Sequence, residues 1–274
     1  MRLSTEQIQK YQEDGFLFFA SYFSDREIRV LQQELLNLPD NAPGKVVEND
    51  GKTVRALHGC HAHSKIFKNL VQHPRILIPA MQILKEFVYL YQFKINMKAA
   101  FTGDIWPWHR DYTFWDKEDG LPTQDVINIS IFLDEVDHFN GPIYFIVGSH
   151  KEELIDIESQ TDNNCQKSTD WQANFSANLK YCLSHTDVAQ LVKKRGVVAP
   201  IGARGSVLLF HGNIAHASVS NISPYHRRQI IITYSSIKNI PIAKGQPRPA
   251  FLVSRDYTPL QPENDDVLMQ DSIV

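Results

Sequence analysis

The residues best suited to chemistry are His109 and Asp111, which lie two positions apart in the segment Trp108-His109-Arg110-Asp111. On an extended strand, alternate residues point to the same face, so this imidazole and this carboxylate can bind one metal ion together. Two histidines and one carboxylate on one side of a metal form the facial triad of non-haem iron oxygenases, which leaves positions open for a keto acid and dioxygen. The pair therefore predicts two of the three ligands of such a site.

A third ligand has to come from a distant strand that returns beside the first. The segment Gly205–Phe210 has the pattern of a buried strand, and His211 and His216 follow it. The stretch between Asp111 and His216 is long enough for the strands that complete a jelly roll. Either histidine could reach the metal at this stage, although a surface loop position suits His211 equally well.

An arginine follows at a position where it could bind an acidic co-substrate. Arg227 enters the apolar strand pattern Ile230-Ile231-Ile232 eleven residues after His216. A guanidinium can bind the distal carboxylate of a keto acid through two parallel hydrogen bonds, which an ammonium cannot do. Neighbouring strand residues point to opposite faces, so we expect Arg228 to be a solvated neighbour without this role.

Three other histidine-containing segments are interpreted as structural. His185 and Asp187 repeat the His-x-Asp pattern, but Thr186 or Asp187 can cap a short helix over the apolar residues that follow. His150 and Glu152 lie beside a turn. The segment containing His58, Cys60, His61 and His63 could form a second metal site, although ordinary loop histidines are the simpler interpretation.

The elements that position these residues change in character along the chain. Ser4–Gln7 and Ser24–Glu27 are capping-box patterns that predict two helices near the amino terminus, with a buried strand at Gly15–Phe19 between them. Pro74–Phe87 again has helical spacing. From Val88 onward, short β-type segments alternate with turn residues. The predicted strands are Val88–Met97, Trp106–Tyr112, Val126–Leu133, Ile143–Val147, Ser206–Phe210 and Ile230–Ser235.

This order predicts a mainly β fold, a barrel or sandwich supported by helices at the amino terminus. We expect a single domain over residues 1–274. Residues 1–87 would provide mostly helical support and residues 88–255 the β core, with an insertion around residues 151–200. The polar stretch Ser159–Asn178 has little periodicity and is interpreted as a mobile part of that insertion.

The composition excludes several classes of partner. The chain has 274 residues, is 43% hydrophobic and carries a formal net charge of −3, without any run of like charges that would suggest a nucleic-acid partner. The longest apolar stretches are too short to span a membrane. Three cysteines without a paired spacing and a polar amino terminus favour a reduced, cytoplasmic location. A homodimer stays open as an alternative to a monomer.

Several blocks together resemble the phytanoyl-CoA dioxygenase family and, within it, the ectoine hydroxylase branch. The first comprises Gln92–Asn96, Thr102-Gly103-Asp104 and Trp108–Asp111. Further blocks carry the resemblance to the end of the β region: Trp115, Glu118–Pro122, Asn140-Gly141-Pro142, Gly148-Ser149-His150, Gly205–Phe210, His216, Ser218, Asn221–Pro224, Arg227 and Pro247–Phe251. The combination covers about residues 92–251, and the Thr5–Phe19 pattern is also family-like.

The resemblance implies a double-stranded β-helix, the cupin-like jelly roll, and a hydroxylase that uses Fe(II), 2-oxoglutarate and O2. It implies iron ligation by His109, Asp111 and His216. It implies that Arg227 anchors 2-oxoglutarate, with Ser218 and Asn96 as hydrogen-bond partners. By the same matching, the residues that would face the substrate are Gln92, Trp115, Phe210 and Arg248. For Trp115 and Phe210, plain core packing is an equally good interpretation.

The sequence also departs from the ectoine pattern, which leaves the substrate open. Tyr112-Thr113-Phe114 replaces an acidic-containing stretch, Asn128 stands where the branch has Ser, and His211 stands where a Cys or Asp is expected. No basic cluster suggests an acyl-CoA ester. We therefore expect hydroxylation of a small, zwitterionic, ring-containing metabolite. It would be ectoine-like or a secondary metabolite, for example a cyclic guanidine such as the precursor of the toxin cylindrospermopsin.

Three alternatives are weighed against this hypothesis. A halogenase of this fold would need a small residue in place of Asp111. The same iron centre could catalyse desaturation or epimerisation instead of hydroxylation. A non-catalytic jelly roll that only binds ligands would not need a complete triad with a matched arginine.

Overall fold

The computed structural model describes residues 2–39, 44–153, 156–158, 171, 175 and 179–270. Within these residues the helices are α1 (Thr5–Asp14), α2 (Asp25–Leu36), α3 (Lys65–Val71), α4 (Pro74–Leu84), α5 (Asp111–Phe114), α6 (His185–Arg195) and α7 (Val267–Gln270). The strands are β1 (Phe16–Phe19), β2 (Lys45–Val47), β3 (Val54–His58), β4 (Val88–Lys98), β5 (Trp106–His109), β6 (Val126–Phe132), β7 (Ile143–Ile146), β8 (Asp156–Glu158), β9 (Tyr181–Leu183), β10 (Val197–Val198), β11 (Val207–His211), β12 (His216–Ser218) and β13 (Arg227–Ser236).

Two antiparallel sheets form the body of the fold. The larger sheet has the strand order β1-β11-β6-β13-β4-β3-β2, and the smaller one has the order β10-β7-β12-β5. Along the chain, β4, β6, β11 and β13 lie in the larger sheet, whereas β5, β7, β10 and β12 lie in the smaller one. This crossing between two facing sheets is the jelly-roll arrangement, so the predicted double-stranded β-helix is confirmed.

Strand β13 shows how one strand serves both the core and the site. Ile230, Ile232 and Tyr234 belong to the apolar core that the larger sheet forms with the helices. The alternate residues Arg227 and Ile231 line a cavity on the opposite face of the sheet. Because side chains alternate along a strand, the sheet packs on the helices with one face and encloses the cavity with the other.

The amino-terminal helices begin where the sequence predicts. Ser4 and Ser24 each accept a hydrogen bond from the backbone three residues on, and Gln7 and Glu27 complete reciprocal capping boxes. The segment before Val88 also contributes β1, β2 and β3 to the larger sheet, of which the sequence indicated only β1. The helical support and the β core are therefore interleaved in sequence.

The structure corrects two local expectations. Strand β5 ends at His109, and Asp111 begins the helical turn α5, so the predicted strand through Tyr112 is too long. Helix α6 is capped by Ser184, whose hydroxyl accepts from the backbone N–H of Asp187, and not by Thr186 or Asp187 as expected.

Other parts of the sequence interpretation fall outside the described residues. Apart from residues 171 and 175, the stretch Ser159–Asn178 lies outside them. The rest of the insertion around 151–200 contains β8, β9, α6 and β10. Within the described part of the chain, no helix has the length and apolar character needed to cross a membrane.

Candidate active site

Strand pairing brings His109 and His216 together between the two sheets. His216 at the start of β12 is the pairing partner of His109 at the end of β5, and the centroids of their rings are 4.2 Å apart. Arg110 is extended, so Asp111 returns to the side of His109, and its Oδ1 lies 3.8 Å from His109 Nε2. Ligand atoms of the three buried residues lie within 4.8 Å of one another.

Backbone carbonyls fix the tautomer of both histidines. His109 Nδ1 donates to the carbonyl of Pro107 at 2.6 Å, and His216 Nδ1 donates to the carbonyl of Ile214 at 3.0 Å. Each ring therefore keeps the lone pair of Nε2 free for a metal, which is the usual support for a metal-binding histidine. Burial, with a further contribution from His216, lowers the pKa of His109 to about 3. Both rings are neutral near pH 7, as metal ligation requires.

The carboxylate of Asp111 is kept in its ionised form. Burial raises its pKa, but Lys94, the two histidines and a hydrogen bond from Asn128 outweigh that effect and hold the pKa below its ordinary value. Two neutral imidazoles and one carboxylate are the donor set of a non-haem iron site. Among the described residues, this is the one group of three or more such side chains that could hold a metal ion.

Arg227 is a buried cation without a carboxylate partner in the described part of the chain. It donates to the carbonyl of Gly141 at 2.6 Å and to Gln229 Oε1 at 3.2 Å, while its Nε has no partner. Burial lowers its pKa to about 9. The neighbouring Arg228 instead forms two hydrogen bonds with Asp134, at 2.8 and 2.7 Å. Register therefore turns Arg227 inward and Arg228 outward, with Arg228 paired to a carboxylate and not simply solvated.

The surroundings of Arg227 fit a bound keto acid. Ser218 Oγ is buried and has no hydrogen-bond partner, and Asn96 lines the same cavity. Buried polar atoms without partners are rare in proteins and mark places where a ligand or water binds. The co-substrate 2-oxoglutarate would supply the missing carboxylate beside Arg227 and an acceptor for Ser218.

The four residues expected to face the substrate line the same cavity as the triad. Gln92, Trp115, Phe210 and Arg248 all border it. The Phe210 ring lies 5.5 Å from that of His216, and Trp115 packs edge-on against Tyr91. Trp115 and Phe210 are also deeply buried, so both interpretations given above, pocket wall and core packing, describe them.

Arg248, which the resemblance places against the substrate, is already paired with a carboxylate. Its Nε and Nη2 donate to the two carboxylate oxygens of Asp119 at 2.7 and 2.6 Å. Tyr91 donates its hydroxyl hydrogen to the same carboxylate. Burial lowers the pKa of Arg248, but the pairing with Asp119 outweighs it and the pKa is raised. Only the Nη1 edge is left to meet a ligand.

Three polar residues of the site were missed at the level of the sequence. Lys94 lines the cavity and its Nζ lies 3.8 Å from Asp111 Oδ2. Gln229 is fully buried with its Nε2 unpartnered, and Asn128 donates to Asp111. The sequence held a signal for two of them, because residues two apart on a strand share a face. Lys94 therefore lies on the same face as Gln92 and Asn96, and Gln229 on the same face as Arg227.

The other histidines do not gather into a second metal site within the described residues. His58 is buried at the end of β3, with both ring nitrogens unpartnered, and its ring centroid is 4.5 Å from that of Phe175 at the cavity wall. Burial, Lys94 and Arg248 together lower the pKa of His58 to about 3. His211 ends β11 and packs against His150, with ring centroids 4.9 Å apart, so of the two interpretations left open for it, metal ligand and surface loop residue, neither describes it.

The chain is similar over most of its length to proteins of known activity. The family model described as "Phytanoyl-CoA dioxygenase (PhyH)" matches residues 11–229. An L-proline trans-4-hydroxylase of Streptomyces griseoviridis is 38% identical over 260 residues, which cover 94% of this chain and 96% of that protein. An ectoine dioxygenase of Bordetella bronchiseptica is 31% identical over 262 residues, which cover 92% of this chain and 83% of that protein.

Solved structures extend the comparison to the fold. The apo form of EctD from S. alaskensis superposes with a TM-score of 0.81 at 28% identity, covering 95% of this chain and 87% of that one. A second structure of that enzyme, with 2-oxoglutarate and 5-hydroxyectoine, has a TM-score of 0.79 and 26% identity over the same shares of the two chains. The carbocyclase SnoK from nogalamycin biosynthesis, at 17% identity and a TM-score of 0.69 over 94% of this chain and 96% of that one, shares the fold.

Proposed function

Because this chain belongs to the phytanoyl-CoA dioxygenase family and is a non-haem iron(II)- and 2-oxoglutarate-dependent dioxygenase, we propose that it hydroxylates a small cyclic amino acid, with L-proline as the first candidate. The observation that carries the proposal is one cavity that joins the His-Asp-His cluster, the unpaired Arg227 and an aromatic wall. The 38% identity to a proline hydroxylase supports the choice of ring.

In this proposal His109, Asp111 and His216 hold the iron, and Arg227 with Ser218 and Asn96 holds 2-oxoglutarate. When bound, iron and 2-oxoglutarate activate dioxygen, so that a C–H bond of the substrate becomes C–OH while 2-oxoglutarate becomes succinate and carbon dioxide. The remaining task of the chain is to bring one C–H bond to the metal and to exclude water. Phe114, Trp115 and Phe210 provide apolar walls for that purpose.

The charges around the cavity favour a substrate with a carboxylate. Lys94 and Arg227 are cationic, Asp111 is anionic, and Arg248 is already paired with Asp119. Fe(II) and the 2-oxoglutarate dianion cancel each other, so the cavity as a whole keeps one positive charge. A substrate carboxylate would balance it, with the Nη1 edge of Arg248 and the amide of Gln92 as further donors. The ring would stack on Trp115 or Phe210.

A substrate screen tests the proposal. The purified protein with Fe(II), 2-oxoglutarate and ascorbate would be given L-proline, ectoine, a cyclic guanidine and phytanoyl-CoA in separate reactions. We expect L-proline to gain one oxygen atom and succinate to form in equal amount, as measured by mass spectrometry. Product formation from the acyl-CoA, with none from the three ring compounds, would contradict the proposal.

The same screen separates the remaining alternatives. Ectoine is the second candidate because the ectoine dioxygenase of Bordetella bronchiseptica is 31% identical over 92% of this chain and 83% of that protein. The cyclic guanidine stands for the secondary-metabolite alternative. Desaturation would give a product with two hydrogen atoms fewer than the substrate, and epimerisation a product with the mass of the substrate, so hydroxylation is distinguishable from both.

Two further expectations belong with this proposal. The cytoplasmic location rests on the cysteine spacing given above, and a homodimer stays open as an alternative to a monomer. Multi-angle light scattering of the purified protein tests the dimer directly, and a mass of one chain at micromolar concentration would exclude it.

A further inference from the structure

A chain of two hydrogen bonds leads from the middle of β13 to the proposed metal ligand. Thr233 Oγ1 donates to Asn128 Oδ1 at 2.6 Å, and Asn128 Nδ2 donates to Asp111 Oδ2 at 2.8 Å. Thr233 and Asn128 are pairing partners in the register of β13 and β6, and both side chains are fully buried. The larger sheet thus reaches the carboxylate of Asp111 through side chains that are held on two neighbouring strands.

The direction of these two bonds is fixed by chemistry. Asp111 is ionised and can only accept, so the group of Asn128 that faces it has to be the NH2 group. The carbonyl oxygen of the Asn128 amide then faces Thr233 and accepts a hydrogen bond from its hydroxyl. Without the hydroxyl of Thr233, the Asn128 carbonyl would be buried without a hydrogen-bond partner. That cost would disfavour the amide orientation in which the NH2 group donates to Asp111.

The two oxygens of Asp111 therefore have different surroundings. Oδ2 is engaged by Asn128 at 2.8 Å and lies 3.8 Å from Lys94 Nζ. Oδ1 lies on the side of His109, 3.8 Å from the Nε2 atom that would bind metal. The carboxylate thus has one oxygen occupied by protein donors and one oxygen directed at the space between the histidines.

We propose that Asn128, oriented by Thr233, is a positioning residue that restricts Asp111 to one-oxygen binding of the metal. The inference rests on the iron site of the proposed function and adds a residue pair to it. Loss of a group that hydrogen-bonds to a metal ligand commonly lowers metal affinity by about 10- to 100-fold. We expect loss of the Asn128 amide to lower it by about 10-fold or more.

Lys94 is the competing explanation, since it also faces Oδ2. An ammonium at 3.8 Å exerts charge attraction without a fixed direction, whereas the amide hydrogen bond sets the rotation of the carboxylate. Removal of the Thr233 hydroxyl leaves Lys94 in place, so a Thr233 variant separates the two contributions.

The test is the affinity of the whole protein for Co(II), an Fe(II) substitute whose visible spectrum reports ligand geometry, without any turnover. Asn128→Ala and Thr233→Val should each raise the dissociation constant, by about 10-fold or more for Asn128→Ala, and alter the Co(II) spectrum. Thr233→Ser keeps the hydroxyl and should restore wild-type binding. Thr233→Val is nearly isosteric, so it carries the test even where Asn128→Ala folds poorly.

Ser235 supplies a matched control for general disturbance of β13. It is fully buried two residues after Thr233 on the same face, and its hydroxyl bonds to the carbonyls of Asp125 and Asn239, not to the metal site. Ser235→Ala should leave Co(II) affinity and spectrum unchanged. Wild-type Co(II) binding by both Asn128→Ala and Thr233→Val would overturn the inference, as would an equal loss in Ser235→Ala.

One more variant separates this inference from the proposed function. Asp111→Ala should abolish tight Co(II) binding. If Asp111→Ala bound Co(II) as the wild type does, the assignment of the metal site would fall and the role of Asn128 with it. If Asp111→Ala lost binding while the Asn128 and Thr233 variants kept it, only the positioning role would be wrong.

Discussion

Asp111 and Asp187 stand in the same His-x-Asp pattern but have different partners. Asp111 faces His109 and His216 in the buried cavity, whereas Asp187 accepts from Ser184 at the start of α6. Asp111→Ala should therefore abolish iron-dependent succinate formation, because it removes the anionic ligand. Asp187→Ala should cost little, about 1 kcal/mol or less in the free energy of unfolding, through a weakened helix start. An equal loss of turnover in both variants would contradict the metal-site assignment.

The two adjacent arginines allow a matched comparison at the co-substrate end. Arg227→Lys should raise the KM for 2-oxoglutarate, because an ammonium cannot reproduce the two-pronged contact with a carboxylate. Arg228→Lys should leave that KM near the wild-type value, because Arg228 is bonded to Asp134 outside the cavity. Steady-state kinetics with 2-oxoglutarate varied would measure both values. A larger effect in Arg228→Lys would contradict the register.

Residue types and their spacing indicated which residues could have unusual chemistry. His109 with Asp111, the histidines after the Gly205–Phe210 strand, and Arg227 all stand out by type and by distance from one another. Thr233 does not, and Asn128 stands out only as a departure from the ectoine pattern, because an amide and a hydroxyl in apolar strands are ordinary. Only the register of β6 against β13 shows that they face each other and Asp111.

At the scale of elements, the wall of the cavity depends on the helical turn that follows α5. Residues Trp115–Asp119 continue α5 in a wider helical turn that ends at Gly120. Gly120 has a φ of 71°, and a Cβ there would lie 1.9 Å from the carbonyl of Ile242. This turn places both Trp115 at the cavity and Asp119 on Arg248.

Gly120→Ala should consequently affect stability and substrate binding together. The left-handed backbone and the clash predict a loss of more than about 1 kcal/mol in the free energy of unfolding. Displacement of the turn should raise the KM for the amino-acid substrate more than the KM for 2-oxoglutarate. Thermal unfolding and steady-state kinetics would measure the two effects. Gly51→Ala is the control, since it also has positive φ but has nothing within 4 Å of its Cβ position; an identical KM change there would contradict the role of the turn.

Sequence patterns located most strands but not the end of β5. The alternation through Tyr112 suggested a longer strand, whereas the chain turns into a helix at Asp111. The backbone N–H of Tyr112 donates to the carbonyl of Gly212, on the segment that leads to His216. That bond joins residues about a hundred positions apart, so it could not be read from local periodicity.

At the scale of the whole molecule, buried neutral histidines predict an acid-sensitive fold. Burial is the main cause that lowers the pKa of His58 and His211 to about 3, and of His61 and His73 to about 4. Exposed histidine in the unfolded chain has a pKa of about 6.5. The unfolded state therefore binds more protons between these values, so the free energy of unfolding should fall as the pH drops below about 6.5.

Thermal unfolding of the metal-free protein from pH 8 to pH 4 would measure this dependence. His211→Asn should make the fall in Tm below pH 6.5 shallower, because it removes one buried group that must take up a proton on unfolding. His226→Gln, a change at an exposed residue, is the matched control. A flat profile from pH 8 to pH 4 would contradict the account of these histidines.

The edge of the larger sheet has a consequence for synthesis of the protein. Among the strands of the described residues, β1 pairs with β11 alone, with Phe16 opposite Phe210, so it has no sheet partner until most of the jelly roll has been translated. At ~5–20 residues per second, the ribosome needs on the order of 10–40 s to pass from one phenylalanine to the other. During that interval the apolar segment Phe16–Phe19 is open to chaperones, and afterwards it closes the edge next to the strand that leads to His216.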